Sequence, residues 1–183
     1  EAARAQLIRM RELTTEHTDT ILFARCAEDI RAAKRSNRIA IVPVVEGGHL
    51  LGDSFDALRQ FRKLGAAYLT LTHAEHTSWA DSAGVHQPLE PRHNGLTSFG
   101  REVVRELNRL GMMVDVSHVS DKAFWDVMET SSAPVIASHS SCRAVSPHRR
   151  NLSDEMIKAI ASSGGVVQIN FASLFIDPHH PPV

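Results

Sequence analysis

Short runs of branched apolar residues alternate along this chain with longer amphipathic stretches, and that order admits few folds. Residues 38–45 (RIAIVPVV), 67–71, 112–116, 134–137 and 166–170 read as strands. Each is too short for a buried helix and is bounded by glycine or polar residues. Pro43 weakens the first, because proline cannot donate to a ladder. Between the strands, spacing predicts helices over 54–64, 97–110, about 120–129 and from 153 to Gly164. Gly65 and Gly111 end the first two; Ser120 and Ser153 cap the last two. Residues 1 to about 36 read as helical, on stripes of Leu7, Met10 and Leu13, then Ile21, Phe23, Ala27 and Ile30. Residues 73–96 form a long loop, and the tail after Asp177 reads as loop. A β-α-β-α order implies parallel strands with helical crossovers, as in a doubly wound sheet or a (β/α)8 barrel.

What ends each strand points to chemistry. The first run stops at Glu46, and the next three stop at His73, His118 and His139. In a parallel α/β barrel the C-terminal strand ends make the active-site face. Neighbouring strands lie about 4.8 Å apart, so side chains from successive tips can meet at one ion. Carboxylate with imidazole suits zinc, manganese, cobalt or ferrous iron and does not choose among them. A bound metal would acidify water and polarise a carbonyl, which makes hydrolysis of an amide or related bond the natural reaction. Taken singly, a histidine at a strand end reads more readily as a hydrogen-bonded structural residue, and Glu46 before two glycines as a turn cap. Four at successive ends favour a site.

Composition bounds the rest. The chain has 183 residues, 43% hydrophobic and 22% charged, with a formal net charge of −1. That is enough for one domain and argues against a nucleic-acid or anionic-membrane surface. No apolar run approaches the ~18 residues that span a bilayer, and the first residues lack a signal-peptide core. Cys26 and Cys142 read as free thiols, consistent with a reducing, cytoplasmic setting. Neither GxGxxG nor GxxxxGK[ST] occurs, so nucleotide binding by those loops has no support.

The motifs together resemble the membrane (renal) dipeptidase family. They are Val45-Glu-Gly-Gly-His49, Tyr68-Leu-Thr-Leu-Thr-His73, Trp79-Ala-Asp81, the helix from Gly95 to Met113, Val114-Asp-Val-Ser-His-Val-Ser120, Ala133-Pro-Val-Ile-Ala-Ser-His-Ser-Ser141, Arg149-Arg-Asn151 and Gly165-Val-Val-Gln-Ile-Asn-Phe171. The resemblance is collinear and implies a metallopeptidase with a (β/α)8 TIM-type barrel, of which this chain would cover about strands 3 to 7. It implies that Glu46 bridges two zinc ions, that His118 and His139 complete the ligands of one, that His73 contacts substrate or the tetrahedral intermediate, and that Arg150 binds the substrate's terminal carboxylate. Without it, Arg150 reads as a surface residue beside Arg149. It gives His49 no direct place on the metal. Asp115, inside a strand, is either a buried carboxylate orienting a histidine or a strand-edge ion-pair partner. His76, His86 and His93 read as solvated loop residues, and His179-His180 as tail.

Two pieces of the family pattern are not found: its opening His-x-Asp strand, and a late strand carrying the aspartate that acts as general base. The expectation is therefore a single hydrolase domain, 1–183, incomplete at both ends, with a helical lead-in over 1–37 and the barrel core over 38–171. Ala74 stands where animal members carry a cysteine, which suggests a bacterial member. The expected activity is hydrolysis of a small dipeptide by a metal-activated water, with a homodimer admitted as the assembly and neither nucleic acid nor membrane as partner. Another amidohydrolase, acting on a lactam, lactone or N-acyl amino acid, remains open, as does an inactive metal-binding fragment.

Overall fold

A computed structural model describes residues 1–177. The His179-His180 pair lies outside them. The elements run α1 (Ala2–Glu16), β1 (Ile21–Phe23), α2 (Ala27–Arg35), β2 (Ile39–Ile41), β3 (Val45–Glu46), a 3-10 turn (Gly48–Leu51), α3 (Phe55–Leu64), β4 (Tyr68–Thr70), α4 (Ser98–Leu110), β5 (Met113–Asp115), α5 (Asp121–Thr130), β6 (Val135–Ala137), α6 (Asp154–Ser162), β7 (Val166–Val167) and α7 (Ser173–Ile176). Strands β3 to β7 form one parallel sheet in sequence order, and β1 pairs parallel with β2.

Sequential order decides between the two architectures left open above. A doubly wound sheet reverses direction at a switch point; here each new strand is added on the same side of the last. The helices follow suit, α3 packing on α4, α4 on α5 and α5 on α6. This is the winding of a (β/α)8 barrel.

The helices form where their sequences place one apolar stripe. In α4 Gly100, Val103, Val104 and Leu107 are buried along one face, while Arg105 and Arg109 stay outside. Thr97 Oγ1 accepts from Gly100 N at 3.2 Å and Gly111 closes the helix at φ 65°. Under the helices lie Val45, Leu69, Val114 and Val135, paired in register and almost fully buried. Burial of such side chains contributes about 1.5–3 kcal/mol each. Because side chains alternate along a strand, Tyr68, Met113 and Ile136 face the other way, where they line a cavity of about 410 Å³ with Val42, Val44, Val166 and Gln168. The same inward face carries Glu46, Thr70 and Asp115 as one register row toward the C-terminal ends.

Three local expectations change. Residues 1–36 are not continuously helical: Ile21–Phe23 is a strand. Three apolar residues fit either period, and the ladder decides, with Ile39 N donating to Thr20 O and Ala24 N to Ile41 O, both at 2.8 Å. The run 38–45 is broken into β2 and β3 around Pro43, whose carbonyl still accepts from Ala67 N at 2.8 Å. Strand β7 is only two residues long, and the short helix α7 follows it.

Candidate metal centre

Each strand tip delivers its polar residue by a definite local device. After Glu46 the chain turns through Gly47, at φ 106°, and Gly48, where a Cβ would collide with Leu71 O and the Trp79 ring. Their amides donate to Thr70 O and Leu71 O at 3.0 and 3.2 Å, which seats Glu46 beside β4. His118 sits at φ 76°, a left-handed conformation that costs a non-glycine residue about 1–3 kcal/mol and persists where the surroundings over-determine it. They do so here: His118 O accepts from Ala83 N at 2.8 Å and from Ser82 Oγ at 3.2 Å. His139 follows β6, with its amide donating to Ser117 Oγ at 3.0 Å.

The result is a tight convergence. Glu46 Oε1 lies 3.3 Å from His118 Nε2 and 3.1 Å from His139 Nε2, and the two Nε2 atoms are 2.8 Å apart. Four zinc ligands at tetrahedral corners, each ~2.0–2.1 Å from the ion, lie about 3.3 Å from one another. His73 is a looser neighbour. One of its ring nitrogens comes within 4.8 Å of donor atoms of Glu46 and His118, and its ring stacks 4.6 Å from that of His118. Two triads can thus be drawn, Glu46-His118-His139 and Glu46-His73-His118; the shorter separations favour the first as the inner set.

Electrostatics keep these imidazoles available as lone-pair donors. Burial, reinforced by the positive charge of Arg150, pushes His118 down to about 2. The same causes, in the same order, lower His139. Arg150 is itself buried, which lowers it to about 10, while the Asp115 and Glu46 carboxylates pull it back up. Its guanidinium lies 5.4 Å from the centre of the Phe175 ring, Nη2 donates to His139 O at 3.3 Å, and Nε has no partner among the described residues. Facing lone pairs of a carboxylate and two neutral imidazoles repel unless a proton or cation lies among them. The donor set therefore fits a divalent metal.

Asp115 is fully buried and accepts four hydrogen bonds. Ser117 N and Ser138 N donate to Oδ1 at 3.0 and 2.9 Å; Thr70 Oγ1 and Ser138 Oγ each donate to Oδ2 at 2.6 Å. It is no strand-edge ion pair. Beside the centre, the loop over 73–96 is gathered on Asp81, which accepts from Arg92 N, His93 N and Gly95 N at 3.0–3.1 Å. His76 and His93 are half-buried ties of that loop rather than solvated residues, their Nε2 atoms pairing with Glu90 O and Thr77 O. His86 is exposed, as is His49, whose ring folds back over Gly47. His17-Thr18-Asp19 has His-x-Asp spacing but lies on the exposed turn between α1 and β1, away from any strand tip. Sequence reasoning missed Thr70, Ser138 and Phe175, whose contacts cross between strands or come from the far end of the chain.

Comparison with known proteins identifies the family. The sequence pattern described as "Membrane dipeptidase (Peptidase family M19)" matches residues 1–182. The chain belongs to that family. It is 43% identical over 155 residues to dipeptidase tcpJ of Claviceps purpurea, covering 85% of this chain and 36% of that protein. An uncharacterized dipeptidase of Schizosaccharomyces pombe is 42% identical over 91% of this chain and 40% of its own length. The chain thus spans about two fifths of the curated relatives it matches. Among solved structures, the probable dipeptidase PvdM from Pseudomonas aeruginosa superposes with a TM-score of 0.88 at 31% identity, over 94% of this chain and 44% of that one. A metallo peptidase from Rhodobacter sphaeroides, liganded with a phosphinate mimic of the dipeptide L-Ala-D-Ala, gives 0.79 at 35% identity over 85% and 44%. The fold is accordingly that of the M19 dipeptidases, α/β with a parallel, TIM-barrel-like sheet. Among the described residues no helix is long and apolar enough to cross a membrane.

Proposed function

We propose that this chain carries the Glu46-His118-His139 half of a two-metal centre in a protein that hydrolyses short dipeptides. The observation that carries the reading is the meeting of one carboxylate oxygen and two imidazole nitrogens within 2.8–3.3 Å at the tips of β3, β5 and β6 in an M19 fold. Zinc, or manganese, cobalt or iron in its place, would be held by Glu46, His118 and His139. When bound, it would supply a water of lowered pKa and a Lewis acid for the scissile carbonyl. His73, exposed with its ring centre 4.6 Å from that of His118, would donate to the oxyanion that develops there. Arg150 offers its fork of donors to the substrate's free carboxylate, and Phe175 supports the guanidinium plane. The relative liganded by a mimic of L-Ala-D-Ala supports a dipeptide over a lactone or N-acyl amino acid.

The test is zinc content and turnover of L,L and L,D dipeptides by the full-length protein, with Glu46→Gln beside it. Glu46→Gln should lose both metal and turnover. Unchanged metal content in that variant would remove Glu46 from the ligand set. A metal-loaded protein that cleaves lactams or acyl amino acids and no dipeptide would keep the centre and overturn the substrate.

A further inference from the structure

We infer that Asp115 is a positioning residue for the metal centre: through the Ser138 hydroxyl it fixes the proton of His139 on Nδ1, leaving Nε2 as the lone-pair donor. The inference rests on the metal reading above for its consequence, and on hydrogen-bond direction for its content. Asp115 receives two backbone N–H groups on Oδ1 and two hydroxyls on Oδ2. With four donors aimed at it, the carboxylate acts only as an acceptor. The 2.6 Å contact from Ser138 Oγ to Asp115 Oδ2 therefore uses the only proton that hydroxyl has. Ser138 Oγ also lies 2.7 Å from His139 Nδ1. Toward the ring it can only accept, so Nδ1 carries the hydrogen. Nε2 is then left unprotonated, 3.1 Å from Glu46 Oε1 and 2.8 Å from His118 Nε2. Partners that hold the far nitrogen of a liganding histidine set both its tautomer and its ring orientation; here the hold is relayed by a hydroxyl.

The same carboxylate reaches the other histidine by a different route. Ser117 N donates to Asp115 Oδ1 two residues back, closing a turn immediately before the left-handed residue His118. Thr70 Oγ1 ties β4 to the same group. One buried side chain thus knits the ends of β4, β5 and β6.

Asp115→Asn inverts the relay. The asparagine carbonyl must stay with the two backbone amides, which puts its NH2 toward Ser138. Ser138 Oγ then accepts from the amide and turns its hydrogen to His139 Nδ1, which moves the ring proton to Nε2 and blocks the ligand atom. Long-range 15N–1H spectra of the chelator-treated chain should show His139 protonated on Nδ1 in the wild type and on Nε2 in Asp115→Asn. Zinc affinity by competition should fall about 10–100-fold in that variant. Ser138→Ala should show a mixture of tautomers with a smaller loss, and Ser138→Thr should restore both readouts. A merely structural role for Asp115 would lower the unfolding midpoint without moving the ring proton. Should Asp115→Asn fail to fold, the wild-type and Ser138→Ala spectra decide the matter alone. A wild-type His139 carrying its proton on Nε2 overturns the inference, as does an Asp115→Asn chain with wild-type tautomer and zinc affinity. A wild-type chain that binds no zinc overturns the metal reading instead, because the tautomer is read without metal.

Discussion

The tips of β5 and β6 carry the same dipeptide, Ser117-His118 and Ser138-His139, and use it in different ways. Both serine amides donate to the same oxygen, Asp115 Oδ1. Beyond that point the two diverge. His118 is held by its backbone: a left-handed residue, clamped through its carbonyl by Ser82 and Ala83, with a buried ring whose Nδ1 has no partner among the described residues. His139 is held by its ring, half-buried, with Nδ1 on Ser138 Oγ. Equal sequence therefore yields one imidazole fixed by chain geometry and one held through a side-chain relay. The first should resist substitutions among its polar neighbours, and the second should not.

The hardest break is removal of either ring. His118→Ala and His139→Ala should each weaken zinc binding by more than the ~100-fold that loss of a supporting partner can cost, read by competition with a chelating dye. Similar losses would make the two equal partners at the ion; zinc retained at wild-type affinity by one of them would exclude it from the inner set. A second break strikes the sheet beneath both tips. Leu69→Ala, at a fully buried position between β3 and β5, should cost about 2–5 kcal/mol in urea unfolding. Zinc stoichiometry should hold where the chain stays folded.

Acid sharpens the contrast. Both imidazoles have folded-state values below the ordinary 6.5, so the unfolded chain takes up protons first as the pH falls. Their neutral burial costs nothing above about pH 6.5 and destabilises the fold progressively below it, for His118 down to about 2. His118 should remove about 1.4 kcal/mol per pH unit in that window, and His139 acts in the same direction. In urea titrations of chelator-treated protein, His118→Gln should flatten the slope more than His139→Gln, since His118 is the more deeply buried. An equal flattening would mean that the two environments do not differ as described. The mildest change lies just past the β5 tip. Ser120 Oγ accepts from Ala123 N at 3.2 Å and caps α5; Ser120→Ala should cost about 1 kcal/mol in thermal or urea unfolding. A larger cost, with altered zinc affinity, would show that the helix start also steers His118.

How much of this could be read from residue order follows from the range of each interaction. Strands followed within three residues by His73, His118 and His139, and the one ending at Glu46, were legible because an apolar run and the polar residue beyond it are neighbours in sequence, and Ser120 and Ser153 cap helices where the pattern put them. The burial of Arg150 was not legible, since the Phe175 ring beside its guanidinium lies beyond the quoted motifs. Asp115 could be singled out but not assigned: its partners Thr70 and Ser138 sit on flanking strands, and register, not spacing, brings them together. Ile21–Phe23 was misread as helix because three apolar residues cannot distinguish a period of 2 from one of 3.6, and only pairing with Ile39–Ile41 resolves it.

The Asp81 carboxylate has a consequence for loop length. By collecting the amides of residues 92, 93 and 95 it joins the two ends of the segment behind His73, so that the stretch around exposed His86 and Gln87 is suspended from an already closed loop. Closing a loop becomes only slowly more costly as it grows. Residues could therefore be inserted between His86 and Gln87, or a foreign segment grafted there, without lengthening the tether between His73 and β5. That stretch is in that sense an exchangeable part, and the strand tips that carry Glu46, His118 and His139 are the frame on which it is hung.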